Sequence, residues 1–194
     1  TEQPVYCTTY YEPHSISELI SMNSECFGWI SISGTNINYP VMHTPSNPQK
    51  YLNKNFYGEY SDSGTPFLDA RCSADSTNLI IYGHHMNNGT MFADLCNYTE
   101  YSYFTEHPTV VLETKDGAFS YSVFSAMKVK SDDDWYRFTT VGTEKSYNSR
   151  IEYAKEKSIY DTEITPVYGQ LILTLSTCCG YNQDDRILVL AVRN

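Results

Sequence analysis

The chain has 194 residues, of which 41% are hydrophobic and 19% charged, a composition typical of one globular domain that can bury a substantial core. Its 13 basic and 23 acidic residues leave a formal net charge of −10, which argues against nucleic acid or an anionic lipid surface as the main partner. No apolar run is long enough to span a membrane and no signal peptide is visible, while the start at Thr1 instead of Met indicates a processed or trimmed chain.

Local patterns predict a mainly β chain with a few helices. A capping box begins at Ser15, and apolar residues follow it at near-helical spacing. Further along, the Asp116-Gly117 step marks the turn of a hairpin. The predicted elements, in chain order, are a helix at about 15–26, strands at 29–32 and 37–43, a long surface loop at 44–64 with one helical turn near Tyr51, short strands at 66–70 and 79–83, a short helix at 90–98, hairpin strands at 109–114 and 118–129, a loop at 131–142, an amphipathic helix at 144–157, and two strands after Pro166.

These elements predict a closed barrel. About eight strands occur at irregular spacing without βαβ alternation, which favours a closed antiparallel or mixed barrel. The 18 tyrosines fit this prediction, because aromatic side chains suit a half-buried pleated surface. We expect residues 1–28 to form a lead-in and a helix packed on the body. Residues 29–194 then form the barrel domain, with the helix at 144–157 in the crossover before the last strand pair.

Three chemically active residues stand where long apolar strands end. The run 171–177 leads to Cys178, and Arg186 opens the returning strand after a polar turn. A third run, 78–82, ends in a glycine followed by His84. Each residue alone has an ordinary structural explanation. Together they supply the three groups that acyl transfer needs: a thiolate that attacks, an imidazole that moves a proton and a guanidinium that stabilises an oxyanion.

The other cysteines and the acidic residues do not predict a metal or cofactor. There is no C-x-x-C pair, and the acidic run 132–134 lacks the spacing of a calcium loop. A chain of this size does not need disulfide staples, so most of the outlying cysteines are predicted to be free and structural. Cys179 adjoins Cys178, so a strained disulfide between these two neighbours remains an alternative. The outlying cysteines are Cys7, Cys26, Cys72 and Cys96.

These residues resemble the sortases, the cysteine transpeptidases of Gram-positive cell surfaces. Residues 174–178 (TLSTC), with an arginine eight positions on, resemble the family's T-L-x-T-C…R motif, and residues 82–84 (YGH) match its strand-end histidine. Residues 28–41 look like the family's first hairpin, and residues 67–71 (FLDAR) resemble a family strand. The helix at 144–157, the Leu-Ser-Thr of the motif and the N-terminal helix are similar to the class B branch.

The resemblance implies an eight-stranded sortase-like barrel and a thioester mechanism. Cys178 would cleave a C-terminal sorting signal after its Thr, with an NPxTx-like signal expected for class B. His84 would protonate the leaving amine, and Arg186 with the Cys179 backbone N–H would hold the oxyanion. A peptidoglycan precursor amine would then resolve the thioester. His85 adjoins His84, so the imidazole that faces the thiol stays open, although strand alternation and the family match favour His84.

The resemblance also implies a substrate groove, partners and a location. Tyr82, Ser176 and Thr177 would line the groove. The partners would be a surface protein with a C-terminal sorting signal and a peptidoglycan amine, and an N-terminal membrane anchor is expected outside this chain. The location would be the outer face of the cytoplasmic membrane or the cell wall of a Gram-positive bacterium.

Two alternatives remain open at this point. A cysteine protease would use water as the final acceptor, and hydrolysis shares the acyl-enzyme step with transpeptidation. A non-catalytic secreted β-barrel binding module would use its tyrosine-rich surface for partners, and its Cys178 would be dispensable.

Overall fold

The computed structural model describes residues 15–180, 182 and 184–194, which form a closed eight-stranded barrel with a few helices, as predicted. The strands follow one another around the barrel in the order β1-β2-β3-β4-β7-β8-β6-β5, and β5 pairs with β1 to close it. Among the described strand pairs, β2/β3 and β4/β7 are parallel and the rest antiparallel, so the barrel is mixed. The strands are β1 (Cys26–Ser31), β2 (Asn38–Met42), β3 (Phe67–Leu68), β4 (Asn78–Tyr82), β5 (Thr109–Thr114), β6 (Gly117–Lys130), β7 (Ile172–Cys178) and β8 (Asp185–Arg193).

The helices pack against the barrel, and buried side chains from residues 93–99 and 101–106 join its main core cluster. Within the described part of the chain, no helix has the length and apolarity needed to cross a membrane. The predicted lead-in at 1–13 lies outside the described residues, and the division into 1–28 and 29–194 stays a prediction. The helices are α1 (Ile16–Met22), α2 (Tyr101–Glu106) and α3 (Glu144–Lys157), with 3₁₀ helices at Lys50–Asn53, Ala93–Thr99 and Asp134–Arg137.

Helix α3 forms at the predicted residues and packs on the outer face of the barrel. Thr143 caps it by accepting a hydrogen bond from the Ser146 N–H, which satisfies one of the unpaired donors of the first turn. Its buried face joins a cluster with Trp135 and with side chains of β6, β7 and β8. This second layer covers Ile172 of β7, while Leu173 and Leu175 belong to the main core, so both faces of β7 are buried.

The N-terminal helix is shorter than predicted. The Ser15 capping box is present, but α1 ends at Met22 instead of near residue 26. Asn23 is extended, and its side chain donates to the Tyr51 hydroxyl at 2.8 Å and to the Phe56 carbonyl at 2.6 Å. The helix thus ends at the residue that makes these contacts. They also anchor the predicted surface loop 44–64 to the body.

Two other predictions needed correction. The helix predicted at 90–98 is a 3₁₀ helix that begins only at Ala93, because Met91 has a positive φ of 60° that a helix cannot contain. Helix α2 follows it without having been predicted. The loop predicted at 131–142 contains the 3₁₀ helix Asp134–Arg137, whose Trp135 is fully buried.

Candidate active site

The candidate site lies at one end of the strands β4, β7 and β8. The parallel register of β4 and β7 pairs Tyr82 with Ser176, so His84 and Cys178 each follow two residues later at the same edge of the sheet. The antiparallel register of β7 and β8 pairs Cys178 directly with Arg186. Because neighbouring strands lie about 4.8 Å apart, these registers bring the three predicted catalytic residues to adjacent positions on one rim.

Cys178 is the exposed end of an otherwise buried strand. The six preceding residues of β7 are buried, and the free thiol of Cys178 is exposed to solvent. The guanidinium of Arg186 is half-buried and donates to the Asp185 carbonyl at 3.0 Å. A thiol and a fixed cation therefore share this rim, an arrangement suited to attack on a carbonyl and to stabilisation of the oxygen that becomes negative.

His84 is oriented by a backbone carbonyl of the 3₁₀ helix Lys50–Asn53. Its Nε2 lies 2.8 Å from the Leu52 carbonyl oxygen, which can only accept, so Nε2 carries the proton in this arrangement. Nδ1 is thereby left as the nitrogen available for proton exchange. His85 has a different contact, because its Nδ1 lies 3.2 Å from the Cys96 sulfur.

Cys179 forms a disulfide with Cys96, so Cys96 departs from the prediction that most of the outlying cysteines are free, whereas Cys26 and Cys72 are free. The pair links the rim after β7 to the 3₁₀ helix Ala93–Thr99, 83 residues away in sequence. The fold brings the two Cα atoms to 5.9 Å, within the range that a disulfide needs, and sequence spacing cannot reveal such an approach. Cys179 has a partner other than Cys178, so the vicinal disulfide is not formed.

The backbone N–H of Cys179, predicted as an oxyanion donor, is already paired. It donates to the Asp185 carbonyl at 3.1 Å across the turn between β7 and β8. The turn depends on Gly180, whose φ is +137° and whose missing Cβ would lie 2.9 Å from the Asp185 side chain. The N–H is therefore at the rim, but it can reach a substrate oxygen only if this bond opens.

The three predicted groove residues differ in their exposure. Tyr82 is half-buried, and its ring stacks on the ring of Tyr136 with centroids 6.0 Å apart. Ser176 and Thr177 are each 2% exposed. The Ser176 hydroxyl bonds the Tyr136 hydroxyl at 2.8 Å, and the Thr177 hydroxyl donates to the Gly83 carbonyl at 2.8 Å. These two hydroxyls are thus engaged within the protein, and Thr177 ties β7 to the end of β4.

Tyr136 is a candidate site residue that the sequence reasoning missed. It lies on the 3₁₀ helix Asp134–Arg137 within the predicted loop. Burial raises the pKa of Tyr136 to about 12, although its hydrogen bond with Ser176 and the positive charge of Arg186 act to lower it. The phenol is therefore neutral at physiological pH and close to both residues. Nothing in the local sequence places this aromatic beside a strand that lies far along the chain.

The described residues hold no cluster of His, Cys, Asp or Glu that could bind a metal ion. The candidate chemistry is that of a thiol, an imidazole and a guanidinium on the rim, next to a wall of stacked tyrosines.

Comparison with known proteins identifies the family. A family model described as the sortase domain matches residues 30–194. Sortase B of Staphylococcus aureus is 32% identical over 178 residues, which cover 90% of this chain and 72% of that protein. The chain therefore belongs to the sortase family, as the TLSTC and YGH motifs predicted.

Solved structures place the resemblance in class B. A complex of S. aureus sortase B with substrate has a TM-score of 0.85 and 33% identity, and the match covers 92% of this chain and 84% of that one. Sortase B of Clostridium perfringens has a TM-score of 0.86 and 30% identity, with coverage of 93% and 100%. Within its family the chain is thus most similar to class B sortases.

Proposed function

We propose that this chain is a sortase transpeptidase that cleaves an NPxTx-like sorting signal after Thr and transfers the protein to a cell-wall amine. One observation carries the proposal. The strand registers place Cys178 opposite Arg186 on β8 and beside the end of β4, which His84 follows by two residues. In this proposal Cys178 is the nucleophile, His84 the proton carrier and Arg186 the cation, and their positions on one rim support these roles.

The first half-reaction forms a thioester. The Cys178 thiolate attacks the carbonyl carbon of the signal's Thr, and the Arg186 guanidinium stabilises the resulting oxyanion. The C–N bond then breaks, and His84 gives the departing amine the proton that its Nδ1 took from the Cys178 thiol. The Cys179 N–H adds a second oxyanion donor when its bond to the Asp185 carbonyl opens.

The second half-reaction transfers the acyl group. An amine attacks the thioester carbonyl, His84 accepts the proton released by the amine nitrogen, and the C–S bond breaks to restore the thiolate. A peptidoglycan precursor would supply this amine at the surface of a Gram-positive cell. The S. aureus origin of one relative and a similar sortase B structure complexed with triglycine support this acceptor.

Tyr82 and Tyr136 form the wall of the proposed groove, where Ser176 bonds the Tyr136 hydroxyl and Thr177 bonds the Gly83 carbonyl. The substrate-bound state of the S. aureus relative supports a peptide ligand for this surface. The exposure of Cys178 also admits water, so hydrolysis is expected when no amine is present.

The test is cleavage of a fluorogenic Ser-Asn-Pro-Gln-Thr-Asn-type peptide, with and without triglycine, by the parent chain and by Cys178→Ala. We expect cleavage after Thr by the parent, diversion of the product to an amide by triglycine, and no cleavage by the variant. Release of the acid product alone, whatever the triglycine concentration, would favour a cysteine protease. Cleavage that survives in Cys178→Ala would remove the proposal, because the nucleophile would then be another group. Absence of cleavage in the parent with Cys178 reduced would also remove it and would favour a binding module.

A further inference from the structure

A buried carboxylate lies directly after β3, near the candidate site. Asp69 is 8% exposed, and both of its oxygens accept hydrogen bonds. The Arg71 backbone N–H and Nε donate to Oδ1, both at 2.9 Å, and Arg71 Nη2 donates to Oδ2 at 2.7 Å. The Tyr82 hydroxyl completes the set by donating to Oδ2 at 2.8 Å.

The surroundings of Asp69 and Tyr82 fix the protonation state of each at neutral pH. Burial raises the pKa of Asp69, but the hydrogen bonds from Arg71 and Tyr82 outweigh it and hold the pKa below its usual range. Burial raises the pKa of Tyr82, and the negative charge of Asp69 raises it further. At neutral pH Asp69 is therefore an anion and Tyr82 a neutral donor, so their hydrogen bond is charge-assisted.

Arg71 also reaches the other side of the candidate groove. Its Nη2 donates to the Tyr136 carbonyl at 2.7 Å, which joins the segment after β3 to the 3₁₀ helix Asp134–Arg137, 65 residues away. One guanidinium thus holds Asp69 through two nitrogens and the backbone of Tyr136 at the same time. A lysine has a single nitrogen and lacks the rigid fork, so it cannot reproduce these contacts together.

Tyr82 and Tyr136 connect the Asp69–Arg71 ion pair to the rim that carries Cys178. Tyr82 is held at its hydroxyl by Asp69, and Tyr136 is held at its carbonyl by Arg71. Their rings stack at an interplanar angle of 23°, and the Tyr136 hydroxyl bonds the Ser176 hydroxyl two residues before Cys178. The described structure gives Asp69 and Arg71 no contact with the Cys178 thiol, so any effect on the reaction passes through the tyrosines.

We propose that Asp69 and Arg71 are positioning residues for acyl transfer, which hold Tyr82 and Tyr136 stacked as a preformed wall beside Cys178. This inference rests on the proposed function. A preformed wall orients the peptide without ordering a side chain at each binding event, and misplacement of a reacting bond by about 1 Å can cost a hundredfold in rate.

The first experiment compares Arg71→Ala, Arg71→Lys and Tyr82→Phe with the parent in the peptide assay. We expect kcat/KM to fall by about tenfold to a hundredfold in Arg71→Ala. The kcat/KM of Arg71→Lys should be close to that of Arg71→Ala, because lysine keeps the positive charge but lacks the planar guanidinium that bridges Asp69 and Tyr136. Alkylation of Cys178 by iodoacetamide should keep the parent rate in all three, because this small reagent does not use the wall.

The matched control is Arg150→Ala. Arg150 also contacts the 3₁₀ helix Asp134–Arg137, through the carboxylate and the carbonyl of Asp134, but it does not touch Asp69 or Tyr82. Its kcat/KM should stay near that of the parent. Thermal melts of every variant separate lost positioning from lost folding.

The decisive readout is a double-mutant cycle with Tyr136→Ala. If Arg71 acts through Tyr136, Arg71→Ala has little further effect once that ring is gone. Three results would overturn the positioning role and leave the proposed function intact. The losses in kcat/KM could be fully additive, Arg71→Lys could restore kcat/KM completely, or Arg71→Ala could be as active as an active parent. A parent that does not cleave the peptide would remove the proposed function, and this inference with it.

Discussion

At the scale of single residues, two neighbouring histidines have different partners. His84 is held by the Leu52 carbonyl, whereas His85 lies against the sulfur of Cys96. Both residues follow the end of β4, and His85 forms an isolated β-bridge with Met91 whereas His84 does not. The Leu52 contact leaves one nitrogen of His84 available for proton exchange.

We predict that His84→Ala lowers kcat/KM for the peptide by roughly 10²- to 10⁴-fold, the usual contribution of a general acid–base group. His85→Ala is the matched control and should remain near the parent value. Steady-state cleavage assays of both variants provide the measurement. Equal losses in the two variants would contradict the assignment of the proton carrier to His84.

At the scale of elements, the end of β4 depends on a close approach. A Cβ added to Gly83 would lie 2.6 Å from the ring of Phe92, which is fully buried, and the Phe92 N–H donates to the His84 carbonyl. The absence of a side chain at Gly83 thus allows the segment that follows β4 to pack against the strand end and holds the backbone of His84.

We predict that Gly83→Ala destabilises the fold by about 1–3 kcal/mol, as overpacking of a core does, and lowers activity by displacing His84. Gly142→Ala is the control, since a Cβ there would have no neighbour within 4 Å. Urea unfolding and peptide cleavage measure the two effects. If Gly83→Ala were as stable as the parent, the Phe92 ring would have moved aside without loss of unfolding free energy, and the prediction would be wrong.

At the scale of the whole molecule, distant parts of the chain are tied together by a disulfide and by buried carboxylates. The Cys96–Cys179 bond closes a segment of 83 residues that includes α2, α3, β5, β6 and β7. The Asp133 carboxylate, whose side chain is 8% exposed, accepts from Tyr153 and Lys157 of α3 and so joins the helix to the loop beneath it.

We predict that Cys96→Ser lowers the unfolding free energy by up to about 4.5 kcal/mol, the loss of chain-entropy restriction for a loop of this length. Cys178 should keep its reaction with iodoacetamide, since its thiol is not part of the bond. Thermal melts with and without reductant give the measurement. A parent whose melting temperature does not respond to reductant would contradict the prediction.

Acid stability follows from the carboxylates. Burial raises the pKa of Asp133, but the hydrogen bonds from the Trp135 N–H, Tyr153 and Lys157 hold it below its ordinary value. A carboxyl whose pKa is lower in the folded state stabilises the fold above its unfolded pKa of about 3.9, and this contribution is lost as the pH falls through the folded pKa.

We therefore predict that stability declines below about pH 4 and that Asp133→Asn is less stable than the parent at pH 7. The gap between the two proteins should narrow as the pH falls. Urea midpoints at several pH values between neutrality and strong acid are the measurement. A constant gap across that range would contradict the role of the Asp133 charge.

The sequence alone determined the barrel, the bounds of α3 and the three residues proposed for catalysis. These features have local signals, because apolar strands, caps and strand-end polar residues are visible within short windows. The TLSTC and YGH motifs were sufficient to predict the family. Cys178 ends one strand and Arg186 opens the returning strand, so the sequence could place these two at one edge of the sheet. The family match added His84, and the parallel pairing of β4 with β7 that brings it to the same rim came from the structure.

The tertiary structure alone decided which side chains meet across long separations. It paired Cys96 with Cys179, placed Tyr136 beside the rim and joined Arg71 to both Asp69 and the Tyr136 carbonyl. Most of these partners are tens of residues apart, and their approach depends on how loops pack outside the regular ladders. The hydrophobic periodicity of a segment does not predict that packing, since it indicates only which face of a helix or strand is buried.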